Sequence, residues 1–161
     1  MRLLLLSGIL FFSLHGVAQE KEKPIDIEDP WSRATPPGST IAVGYMVIRN
    51  KSEDRERLLS ASSPLARKVE THVTLKDGGI MRMREVPGYE VPGRGRVELK
   101  PGGAHLMLLD IKRPFKQGEK IPLTLRFERS GEMKVELEVR AAGATGEKAG
   151  DAMHGDHKMQ H

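Results

Sequence analysis

The 161-residue chain contains no cysteine. Disulfide staples and thiolate metal ligands are therefore excluded, as is lipid attachment through cysteine in an exported bacterial protein. Long apolar runs are lacking as well. The one candidate, Leu3 to Leu14, covers twelve residues, whereas a membrane-spanning helix needs roughly 20. No membrane insertion is expected. The chain also lacks a strong charge of either sign: 26 Lys and Arg are mixed with 22 Asp and Glu for a formal net charge of +4. Such a balance argues against nucleic acid or a lipid surface as partner. There is no internal repeat and no sustained helical period.

What is present begins with an export signal. Arg2, the apolar run and the small residues Gly16-Val17-Ala18 read as a signal peptide over residues 1–18, cleaved near Ala18. Residues 19–28 are charged and contain Pro24, and read as an N-terminal arm. Alternating apolar patterns then predict strands at Ile41 to Ile48, Val69 to Leu75, Ile80 to Val86, Val97 to Leu99, Ala104 to Leu109 and Lys120 to Arg129. A last one carries Met133, Val135, Leu137 and Val139 on one face. Asp77-Gly78-Gly79, Pro87-Gly88, Pro92-Gly93 and Pro101-Gly102-Gly103 supply the turns. Short strands at this spacing predict an all-β, antiparallel β-sandwich over residues 29–140. From Ala141 the pattern stops, and residues 141–161 read as a flexible tail, too poor in apolar residues to order itself.

The chemistry lies in histidine and methionine. His105 and Met107 stand two apart on one predicted strand, so both side chains leave the same face. His72 falls on the polar side of its strand with Glu70 and Thr74, opposite Val69, Thr71, Val73 and Leu75. Met83 follows after the Gly78-Gly79 turn, on a neighbouring strand that can bring it beside His72. Met81 has the same orientation as Met83 and is the main competitor; it is assigned to packing. Thioether sulfur is neutral, soft and needs no deprotonation, and imidazole suits either copper state, so two of each favour Cu(I) over zinc. Without a thiolate, a blue-copper electron-transfer centre is excluded. Met46 and Met133 sit in apolar alternation and read as core. Trp31, the only tryptophan, fits either the sandwich edge or the metal's neighbourhood. In the last nine residues, Met153, His154, His157, Met159 and His161 form an auxiliary copper site, able to take Cu(II) through imidazole or Cu(I) through the mixture.

The spacing of His72, Met83, His105 and Met107, with ten, twenty-one and one residues between them, resembles the ligand motif of the periplasmic copper chaperones (PCuAC-like) that serve the CuA centre of cytochrome c oxidase. So does the surrounding text: Trp31-Ser32-Arg33, Pro36-Pro37-Gly38, Gly44-Tyr45-Met46, Ser63-Pro64, Met81-Arg82-Met83, Pro101 to Met107 and Leu123 to Phe127. The resemblance covers roughly Asp29 to Arg140 and implies a cupredoxin-like sandwich. It also implies a periplasmic protein that hands Cu(I) to an oxidase subunit or to another copper chaperone; the thioether bias to Cu(I) and the lack of a nucleophile–base grouping argue against an enzyme, and a monomer is expected. Copper buffering by the same ligands, without specific delivery, is the alternative.

Overall fold

The computed structural model describes residues 24–146. The signal peptide and the residues Met153, His154, His157, Met159 and His161 lie outside them. Ten strands make up the described fold: β1 Ile25–Arg33, β2 Ile41–Asn50, β3 Glu56–Ser62, β4 Ala66–Asp77, β5 Ile80–Glu85, β6 Tyr89–Val91, β7 Arg96–Leu99, β8 Ala104–Ile111, β9 Lys120–Phe127 and β10 Gly131–Arg140. They hydrogen-bond in the order β5-β4-β8-β7-β2-β1-β10-β9-β3-β6, and β3 also pairs with β4, which closes the sheet on itself. The all-β expectation therefore holds. Two pairings are parallel: β1 with β10, the first and last strands, and a single contact of Leu99 with Ala104 between β7 and β8.

Period-two patterning explains the closure. On β9, Ile121, Leu123, Leu125 and Phe127 point inward and are almost fully buried, and Leu137 and Val139 meet them from β10. Leu106 and Leu108 of β8 and Met46 and Ile48 of β2 complete the interior from the other side. Met46 is thus core, as expected, and Met133 packs partly buried against it.

Three differences from the sequence reading have physical causes. First, β1 starts at Ile25, inside the segment read as an arm. Pro24 and the charges Asp26 and Glu28 masked an alternation in which Ile25 is buried and Ile27 pairs with Ile48. Second, β3 and β6 carry no long apolar run; they are strands because neighbours pair with them. Third, the tail is held where it leaves the sheet. The Arg33 Nε–H donates to the Ala144 carbonyl at 2.9 Å, and Thr145 and Gly146 line a hollow with Trp31, Lys100 and Pro101.

Candidate metal centre

β5, β4 and β8 are consecutive in the sheet, and their outward face carries all four residues named from the sequence. His72 on β4 stands directly opposite His105 on β8, and Glu70 opposite Met107. On the other side, His72 faces Glu85 of β5 and Thr74 faces Met83. Cross-strand partners share a face, so Met83 lies one diagonal step from His72, a separation of roughly 7–8 Å in such ladders. Met81 faces Lys76, a further step away. Register thus separates two methionines that alternation alone left equivalent. The Asp77-Gly78-Gly79-Ile80 turn sets that register: both glycines adopt positive φ, +57° and +87°, as a two-residue type I′ hairpin requires.

The histidine rings are 5.8 Å apart between centroids and both are mostly enclosed; His105 is 4% exposed. Each ring has one nitrogen engaged. His72 Nε2 lies 2.8 Å from Glu70 Oε2, and His105 Nδ1 lies 3.0 Å from the Gly103 carbonyl oxygen. A carbonyl can only accept, so His105 carries its proton on Nδ1; an ionised Glu70 likewise draws the His72 proton to Nε2. In the neutral rings this leaves lone pairs on His72 Nδ1 and His105 Nε2. Among the described residues only three buried side-chain nitrogen or oxygen atoms lack a hydrogen-bond partner, and two of them are these nitrogens; the third is Arg57 Nε. Buried polar atoms are normally satisfied, so this pair of orphaned lone pairs is what a cation site is built from.

Glu70 is itself held ionised. The Lys68 ammonium, 2.6 Å away, and then His72 keep its carboxyl below the usual carboxylate range. No three His, Cys, Asp or Glu side chains converge as a metal site among the described residues. Met83 and Met107 stand on the same face as the histidine pair.

The sequence reading missed Tyr89. Its hydroxyl reaches the back of the site from β6, accepting the His105 N–H at 3.2 Å and standing 2.7 Å from the carbonyl oxygens of both His72 and His105. Burial pushes its pKa up to about 12, so the hydroxyl keeps its proton to donate. Gly88 makes this approach possible: its φ is +92°, and a Cβ there would lie 2.0 Å from the Leu58 carbonyl oxygen. The Pro87-Gly88 turn was the only sequence signal. Trp31, by contrast, packs on Tyr45 with Arg140 over its ring and is separated from β8 by β2. It is buried on a strand paired on both sides, so neither the sandwich edge nor the histidine pair is its place.

Fold and site together define a class: an all-β domain that presents a histidine pair and flanking thioethers on one sheet face. The family model described as "Putative lipoprotein LpqE-like" matches residues 25–139, and the chain belongs to that family. A "Putative lipoprotein" of Leifsonia xyli subsp. xyli is 30% identical over 117 residues, covering 72% of this chain and 69% of the relative. The copper-bound PCuAC domain from PmoF2 superimposes with a TM-score of 0.64 at 32% identity, over 73% of this chain and 93% of that domain. The CuI-DR1885 structure from Deinococcus radiodurans gives 0.60 at 31% identity, over 75% and 80%. The cupredoxin-like β fold expected from the sequence is the fold of this chain. No helix among the described residues is long and apolar enough to cross a membrane.

Proposed function

We propose that the protein is an exported, periplasmic copper carrier that binds one Cu(I) as cargo through His72 Nδ1, His105 Nε2 and the sulfurs of Met83 and Met107, and releases it to a copper-accepting protein. The reading rests on one observation above the others: both histidines hold one ring nitrogen in a hydrogen bond and leave the other buried and unpartnered. Copper-bound PCuAC neighbours at 31–32% identity support it. Two neutral imidazoles and two thioethers carry no charge, so the site favours a soft monocation over the harder divalent ions. Two thioethers bias the bound ion towards Cu(I), which fits carriage better than redox turnover. Delivery towards an oxidase subunit, directly or through another copper chaperone, is the destination that the resemblance implies. Met153, His154, His157, Met159 and His161 add a looser site for Cu(II) or Cu(I). A competitive Cu(I) titration tests the core of this reading. The wild type should take one tight equivalent, and His105→Ala/Met107→Ala should lose it; an unchanged affinity in the double variant refutes the assignment.

A further inference from the structure

The β4–β5 hairpin is unlike the rest of the surface. Of the six large apolar residues exposed among the described residues, four lie on it: Leu75, Ile80, Met81 and Met83, each at least half exposed. Every residue of β5 is exposed, and β5 ends the strand order, so its outer edge is unpaired. Natural edges are usually short, charged or covered; this one ends beside the histidine pair. Its charge is also one-sided. Arg82 pairs with Asp77 and Glu85 lies near Lys68, but Lys76 and Arg84 have no ion-pair partner among the described residues. The free charges of the hairpin are both cationic, and of the two only Lys76 lies on the face of Met83.

We infer that this hairpin is the surface on which the copper acceptor docks, and that the acceptor presents an apolar centre with an acidic rim. The inference rests on the copper-carrier reading. The ligands differ in how they can be reached: the histidines are enclosed and each is tied through its second nitrogen, whereas Met83 is 53% exposed on the edge strand. An incoming donor therefore meets the ion from the Met83 side. One bond from copper to the acceptor's donor forms as the bond to the Met83 thioether breaks; the ion stays Cu(I) and no electron moves. Met81 and Lys76 share the face of Met83, whereas Leu75, Ile80 and Arg84 alternate to the other one; the exposed Met81 side chain helps exclude water from the exchange, and Lys76 steers an acidic rim towards it.

The test uses the full mature protein loaded with Cu(I) and the apo CuA domain of an oxidase as acceptor. Lys76→Glu changes no ligand and should keep the wild-type Cu(I) affinity and the wild-type rate of extraction by neocuproine, a small neutral chelator. Its transfer rate to the CuA domain should fall about threefold or more and lose part of its salt dependence. Lys134→Glu, a reversal of equal size away from the hairpin, should transfer as the wild type does. Equal transfer by the wild type and the hairpin variant overturns the surface alone, as does a matching slowdown with neocuproine. No transfer from the loaded wild type overturns the delivery reading and the surface together, while failure to load overturns the copper reading itself.

Discussion

In the proposed site each histidine does two jobs with its two nitrogens, and the jobs are not interchangeable. Glu70 and the Gly103 carbonyl set which nitrogen keeps its proton, and so which one is left free to take an ion. Glu70→Gln can still bond the ring but no longer requires a proton on His72 Nε2. The His72 tautomer should then become mixed, seen as averaged ring-nitrogen shifts by NMR, with Cu(I) affinity reduced by about tenfold. The two methionines of β5 make a sharper contrast. Met83→Ala removes a sulfur one diagonal step from His72 and should weaken Cu(I) by about tenfold or more. Met81→Ala, opposite Lys76, should stay within about threefold. Both side chains are more than half exposed, so neither change should disturb the fold, and a chelator competition run on both variants separates ligand from neighbour.

At the level of strands, β4 and β8 must keep His72 opposite His105, since a slip of one residue would turn one ring to the other face. Tyr89 fastens that register from behind. Tyr89→Phe keeps the ring and removes the hydroxyl that both backbones share, which should cost about 1–3 kcal/mol of stability and loosen Cu(I) as well. Urea unfolding beside the copper titration measures both. A second buried group acts on the β9–β10 hairpin. Glu56 of β3 is 4% exposed and accepts from the Ser130 hydroxyl and from the N–H groups of Arg57, Arg129 and Ser130. Burial alone would raise its pKa, but these donors outweigh it and the net shift is downward. Its stabilisation is therefore complete above the unfolded carboxyl value of about 4.3 and is lost as pH falls through the lower folded value. The advantage of the wild type over Glu56→Gln in urea should be full at pH 7 and shrink on acidification below about pH 4.

Across the whole molecule, the departing tail is held against β1 and the turn between β7 and β8. Arg33 holds Ala144, and Gly146 sits by Pro101, two residues before the Gly103 that fixes His105. Ending the chain after Gly146 should keep the tight Cu(I) equivalent and remove the looser tail copper. Ending it after Arg140 should also shift Trp31 fluorescence to the red, because the segment beside the ring is gone. Much of this protein was legible in its residues. Alternation gave the β class, and the chemistry of imidazole and thioether, with no thiolate, pointed to a soft monovalent ion. Spacing and the family resemblance singled out the four candidate ligands, and the polar side of its strand kept His72 out of the core. Strand register was not legible, since alternation has period two and cannot say which residue stands opposite which. Hence Met83 and Met81 looked alike until β5 was paired, and β1, β3 and β6 were strands only by virtue of their neighbours. Tyr89 was invisible for the same reason: its hydrogen bonds cross sixteen and seventeen residues of sequence. Side-chain type and period decided what the chain can bind; only closure of the sheet decided which atoms meet.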